Sequence, residues 1–74
     1  MSVSARELLA RRVRELRREK GWSQEDLAVA SNLHRTYIGT VERAEQSITV
    51  DSIEKLATAL DVPVAKLFEL QTDA

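Results

Sequence analysis

Residues 24–43, QEDLAVASNLHRTYIGTVER, divide into two short helices about a turn, and the remainder of the chain is arranged around them. Ser23 followed three positions on by Asp26 has the form of a capping box, which opens a helix over Gln24 to Ala30. Glu25 and Asp26 then sit at the positive end of its dipole. Residues 31–33 make a turn, and a further helix runs from about His34 to Arg43. Its spacing places Ile38, Val41 and Glu42 on one side and Thr36, Thr40 and Arg43 on the other.

Upstream of this unit, Leu9, Val13 and Leu16 share one helical face, with Arg11, Arg14 and Arg18 turned away from it. Gly21 supplies the stop, and Trp22 reads as a lid on the core. Downstream, a loop of residues 44–48 precedes Thr49, which can cap a fourth helix carrying Ile53, Leu56, Ala57 and Leu60. Pro63 fixes the start of a last short helix with Val64, Leu67, Phe68 and Leu70. No window shows the two-fold alternation of a half-buried strand. The expectation is a single all-α domain over residues 1–74, a compact five-helix bundle.

The chain has 74 residues, 43% hydrophobic and 31% charged, with no Cys and one His. A domain this small buries only about 60% of the surface that its unfolded chain exposes, so an oligomeric partner would help it. Without cysteine there is neither a disulfide framework nor a thiolate metal site, and a lone His builds no metal cluster. No cofactor or metal is implied, and with no carboxylate pair or Gly-rich phosphate loop no enzyme is expected. No apolar run approaches the roughly 18 residues of a membrane span and no signal peptide is read, and the expected location is a reducing cytoplasm.

Eleven basic against twelve acidic residues give a net charge of −1, with a pI near 5.8. Taken globally this argues against nucleic acid. By position the charge separates: residues 1–43 hold nine basic and six acidic groups, +3, and residues 44–74 hold two and six, −4. One half suits an anion.

Two short helices joined by so tight a turn meet at a steep angle, and the second can project into a DNA major groove. Its surface fits that use. Thr36, Thr40 and Arg43, flanked by Arg35, Tyr37 and Gly39, form a face with no carboxylate, where a solvated helix usually carries Glu and Lys pairs. Arg pairs with guanine O6 and N7, and Thr offers a hydroxyl and a methyl for thymine.

Residues of about 6–68 resemble the Cro and phage-repressor (XRE-like) type of helix-turn-helix domain, the match running almost throughout from Leu16 to Phe68. They carry the family's basic helix, the G-x-S-Q-E-x-L-A motif over Gly21 to Ala28, I-x-x-x-E-R over Ile38 to Arg43, and A-x-A-L-x-V over Ala57 to Val62. The short chain and the HRTYI to ERAEQSIT stretch are most similar to restriction-modification controller proteins. The resemblance implies a dimer that binds double-stranded, pseudo-palindromic DNA and activates or represses transcription, with RNA polymerase a further partner. The alternative of a different class is a phage-type repressor or an antitoxin-like module whose main partner is another protein.

At matching positions the resemblance implies base reading by Arg35, Thr36, Tyr37, Thr40 and Arg43. It implies phosphate contacts from Gln24, Ser23, His34, Gln46, Ser47, Thr49 and Ser52. Several have a simpler reading: Tyr37 as a half-buried ring, His34 as a helix cap, Gln46, Ser47, Thr49 and Ser52 as loop and cap chemistry, Gln24 and Arg43 as solvated surface. Arg17 and Glu42 match the family's internal ion pair, Glu42 lying about 40 degrees from Ile38 on the helical wheel. The dimer contact is assigned to residues of about 50–70, through Val62, Val64, Leu67, Phe68 and Leu70. Two positions depart from the pattern, Ala44 and Asp61 standing where Gly is usual.

Overall fold

The computed structural model describes residues 3–69. Helix α1 spans Ala5–Glu19, α2 Gln24–Ser31, α3 Arg35–Glu42 and α4 Val50–Leu60, and a 3₁₀ helix follows at Val64–Phe68. The chain is all-helical over the described residues. It departs from the expected five-helix bundle in its last element, which is a single 3₁₀ segment of five residues. Pro63 holds that segment's start in extended conformation, and Glu69 is extended again at its end. Five residues between two extended positions leave no room for a second α-helical turn to propagate.

The four α-helices open and close by one plan. Each opens on a side-chain acceptor taking an early backbone N–H at 3.1 Å: Ser4 from Glu7, Ser23 from Asp26, His34 Nδ1 from Thr36 and Thr49 from Ser52. The reciprocal half of the capping box is also present, the Ser23 N–H donating to Asp26 Oδ2 at 2.9 Å. Each closes on a residue in the left-handed region, Gly21 at φ +72°, Asn32 at +57°, Ala44 at +58° and Asp61 at +61°. The N–H after it folds back five residues: Trp22 to the Arg17 carbonyl, Leu33 to Ala28, Glu45 to Thr40 and Val62 to Ala57, at 3.0–3.1 Å. This satisfies carbonyls that would otherwise be orphaned.

Only one of the four closures uses glycine. Asn and Asp tolerate the left-handed region through local side-chain hydrogen bonding, but alanine has no such group, and the conformation costs an L residue about 1–2 kcal/mol. Ala44→Gly removes that cost and adds unfolded-state entropy in partial compensation. The expected net result is stabilisation by about 1 kcal/mol, seen as a midpoint higher by about 4–8 °C in thermal unfolding. An unchanged or lower midpoint contradicts strain at this position.

The core is built from the faces read in the sequence. Leu9, Val13 and Leu16 of α1, Leu27 of α2, Ile38 and Val41 of α3, and Leu56, Ala57 and Leu60 of α4 are buried together, with Trp22 packed partly against them. Lys20 places its ammonium 5.1 Å from the Trp22 ring centroid. Leu67 closes the open end of this core between α1 and α4 and is 0% exposed. Its expected place in a dimer contact is therefore corrected. Arg12, itself buried, donates through Nε to the Lys66 carbonyl at 3.2 Å and pairs with Glu15 at 2.7 Å, tying the 3₁₀ segment to α1. Leu70, the last residue assigned to that contact, lies outside the described residues. No helix among the described residues is long and apolar enough to cross a membrane.

Candidate nucleic-acid interface

The N-terminus of α2 and the outer face of α3 meet in one shallow cleft of about 190 Å³, lined by Gln24, Arg35, Thr36, Gly39 and Arg43. Both walls are held by a buried carboxylate. Glu42, at the end of α3, accepts from Arg17 Nε at 2.7 Å and Arg17 Nη2 at 3.0 Å, a two-pronged pair that fixes α3 to α1. The Arg17 guanidinium also donates to the Trp22 carbonyl at 2.7 Å, across the α1 to α2 corner. Arg14 donates to the backbone carbonyl of Glu42, the end of the same helix. The Glu42 hydrogen bond raises the Arg17 pKa above its ordinary value, burial opposes this, and the Glu42 charge adds to the rise.

Glu42 also positions Gln24, whose Nε2 donates to Oε1 at 3.2 Å. An amide nitrogen carries two protons, so one remains for an external acceptor. The capping box uses the Asp26 and Ser23 N–H groups, and the N–H groups of Gln24 and Glu25 have no intrahelical partner. A fixed amide donor beside free backbone donors at a helix N-terminus is suited to phosphate.

On α3, Arg35 and Thr36 are exposed and Tyr37 is half-buried against the core. Thr40 is corrected: it is 9% exposed, and its hydroxyl donates to the Thr36 carbonyl at 2.9 Å, one turn back. Threonine often satisfies itself this way inside a helix, and doing so removes the hydroxyl from the outer face. His34 caps α3 through Nδ1, so the neutral ring carries its proton on Nε2, directed away from the cap.

The outer face of α3 bears no carboxylate of its own, as the sequence indicates, yet two arrive from outside it. Arg35 Nε lies 3.4 Å from Glu25 of α2, and Arg43 Nε lies 3.1 Å from Glu45 of the following loop. The Glu45 hydrogen bond foremost, then its charge, raises the Arg43 pKa. Both pairs are exposed and carry little stability. Glu25 could not be paired with Arg35 from sequence, because their contact depends on the angle between α2 and α3.

Beyond α3, Gln46 and Ser47 are exposed, and Ser47 Oγ accepts from Arg6 Nη2 at 3.1 Å, which anchors the loop to α1. Thr49 and Ser52 are engaged with each other, Thr49 Oγ1 donating to Ser52 Oγ at 2.9 Å while it caps α4. Their hydroxyls serve the cap. Near the other end, Val64 is 41% exposed, and Val62 and Phe68 are half-buried.

A family model described as helix-turn-helix matches residues 13–67. Control protein C.SmaI of Serratia marcescens is 48% identical over 69 residues, covering 93% of this chain and 82% of that protein. The crystal structure of the restriction-modification controller protein C.AhdI from Aeromonas hydrophila superposes with a TM-score of 0.82 at 48% identity, over 85% of this chain and 96% of that one. Controller protein C.Esp1396I, solved as a tetramer with its natural 35 base-pair operator, gives a TM-score of 0.81 at 36% identity, over 90% and 88% of the two chains. The capped helix pair, the buried Arg17–Glu42 anchor and these likenesses agree, and the chain belongs to the helix-turn-helix family, in which it is similar over nearly its whole length to the restriction-modification controller proteins.

Proposed function

We propose that this protein is a homodimeric, sequence-specific DNA-binding transcriptional regulator that controls genes of a restriction-modification system from pseudo-palindromic operators. The observation that carries this reading is the cleft in which exposed Arg35, Thr36 and Arg43 stand beside an amide of Gln24 fixed by buried Glu42. Arg35 and Thr36 read base edges, and Arg43 reads a base or holds phosphate. Tyr37 lies against the DNA backbone with its ring partly in the domain. Gln24, Ser23 and the α2 N-terminal amides take one phosphate, and His34 Nε2, Gln46 and Ser47 are placed for others. The relative solved on its operator supports DNA as the partner.

A dimer positions two copies of α3 in successive major grooves about 34 Å apart. Its contact is assigned to Val62, Val64 and Phe68, the apolar side chains of the C-terminal segment that the monomer core leaves wholly or partly uncovered. Leu67 is not among them. Val64→Asp puts a charge on a surface position and leaves the core intact. Sedimentation should show a dimer for the unsubstituted protein and a monomer with weakened duplex binding for the variant. Monomeric unsubstituted protein, or a variant unchanged in mass and affinity, overturns the dimer.

A further inference from the structure

We propose that the cleft between α1 and the end of α3 is an additional seat for DNA phosphate, with Arg11 as its principal contact, so that the DNA-facing surface continues past α3 onto α1. This rests on the DNA-binding reading and extends it to a helix whose Arg11, Arg14 and Arg18 the sequence turns away from the apolar face.

The cleft has a volume of about 210 Å³, and its lining includes the side chains of Arg11, Arg14 and Arg43. It is continuous with the recognition face, because Arg43 lines both clefts. Three arginines and one carboxylate line it; that carboxylate, Glu7, already accepts from the Ser4 hydroxyl at 3.0 Å, and Glu45 reaches Arg43 from outside the lining. The arginines are not equivalent. Arg14 is committed to the Glu42 carbonyl, and Arg43 to Glu45. Arg11 is exposed and has no hydrogen bond or ion pair within the described residues. Arg6, held on Ser47 at 3.1 Å, adds a further cation beside the loop that leaves α3.

A cluster of like charge repels itself, and an anion among its members relieves that repulsion. Guanidinium matches phosphate through paired N–H donors. With α3 in the major groove, the bordering backbone runs past the end of that helix, where Arg43 and the cleft lie. The occupant is therefore a phosphate of the bound duplex.

Arg11→Gln removes the charge at an exposed position, and Arg18→Gln, also exposed on α1 but outside the cleft, removes the same charge elsewhere. Affinity for a mixed-sequence duplex is measured across a salt series. Loss of one phosphate contact per subunit lowers the slope of log K against log salt by about 0.9 per subunit. The expected result is that reduction for Arg11→Gln, with Arg18→Gln at the unsubstituted slope. An unchanged slope for Arg11→Gln, or equal reductions in the two variants, overturns the proposal while leaving the DNA-binding reading in place. Failure of the unsubstituted protein to bind any duplex overturns both.

Discussion

Glu42→Ala is expected to cost about 3–5 kcal/mol of folding stability, because it strands the Arg17 guanidinium without its partner at the junction of α1 and α3. The Glu42 side chain is 3% exposed and that of Arg17 11%, so water reaches the vacated site poorly. The same change releases Gln24. Against the 5–15 kcal/mol that holds a typical domain folded, such a loss removes a large share of the stability of a chain this small. Glu42→Gln keeps the side-chain shape and one acceptor oxygen but turns an amide donor toward the donors it faces, and should lose less than Glu42→Ala. Replacing both partners, Arg17→Met with Glu42→Leu, should recover much of the loss, since a buried pair contributes less than the penalty for breaking it. Urea unfolding of the four proteins measures this. A loss below about 1 kcal/mol for Glu42→Ala shows the pair to be peripheral.

Arg35→Ala should act on recognition instead. The Arg35 side chain is 67% exposed and holds only an exposed partner, so its removal leaves the fold unchanged. A bidentate contact to guanine is worth about 1–3 kcal/mol, and a symmetric site loses it twice, about 2–6 kcal/mol for the dimer. Preference should relax at one base pair in each half-site. Gln24→Ala, by contrast, should weaken selected and random duplexes alike, as a phosphate contact does. Binding isotherms on both duplexes separate the two outcomes. Equal losses on both for Arg35→Ala show that it does not read sequence.

The parts of this fold that are local in sequence are the parts that the sequence discloses. The Ser23–Asp26 box, the Thr49 cap and the stripes Leu9, Val13, Leu16 and Ile53, Leu56, Leu60 each depend on neighbours within two turns. Gly21 is read as a helix stop and the left-handed closures at Ala44 and Asp61 are visible as substitutions at glycine positions, and the structure adds that Asn32 closes its helix in the same way. What the sequence hides depends on tertiary placement or on a hydrogen bond that no pattern records. Leu67 looked surplus because the last segment was read by itself, whereas it plugs the core between α1 and α4. Thr40 fell on the outer side of the helical wheel, but the residue is buried and its back-bond to Thr36 commits the hydroxyl to the helix's own backbone. Arg11, Arg14 and Arg18 are alike in the sequence as turned away from the apolar face, and only the packing separates Arg14, bonded to the end of α3, from exposed Arg11 and Arg18.

The same separation explains how a chain of net charge −1 can suit DNA. Its exposed arginines lie on α1 and at the two ends of α3, and the acidic surplus lies beyond residue 43. Non-specific attraction is then modest, and discrimination depends on α3 and on the spacing that a dimer imposes.

Selection of duplexes from a random pool, followed by sequencing of the bound fraction, tests that claim most directly. The expected outcome is a pseudo-palindrome whose half-site centres lie one helical turn apart, about 10 base pairs, with a guanine in each half-site that Arg35→Ala no longer selects. A pool that enriches no motif, or a single asymmetric site indifferent to half-site spacing, contradicts a sequence-specific dimer reading DNA through α3.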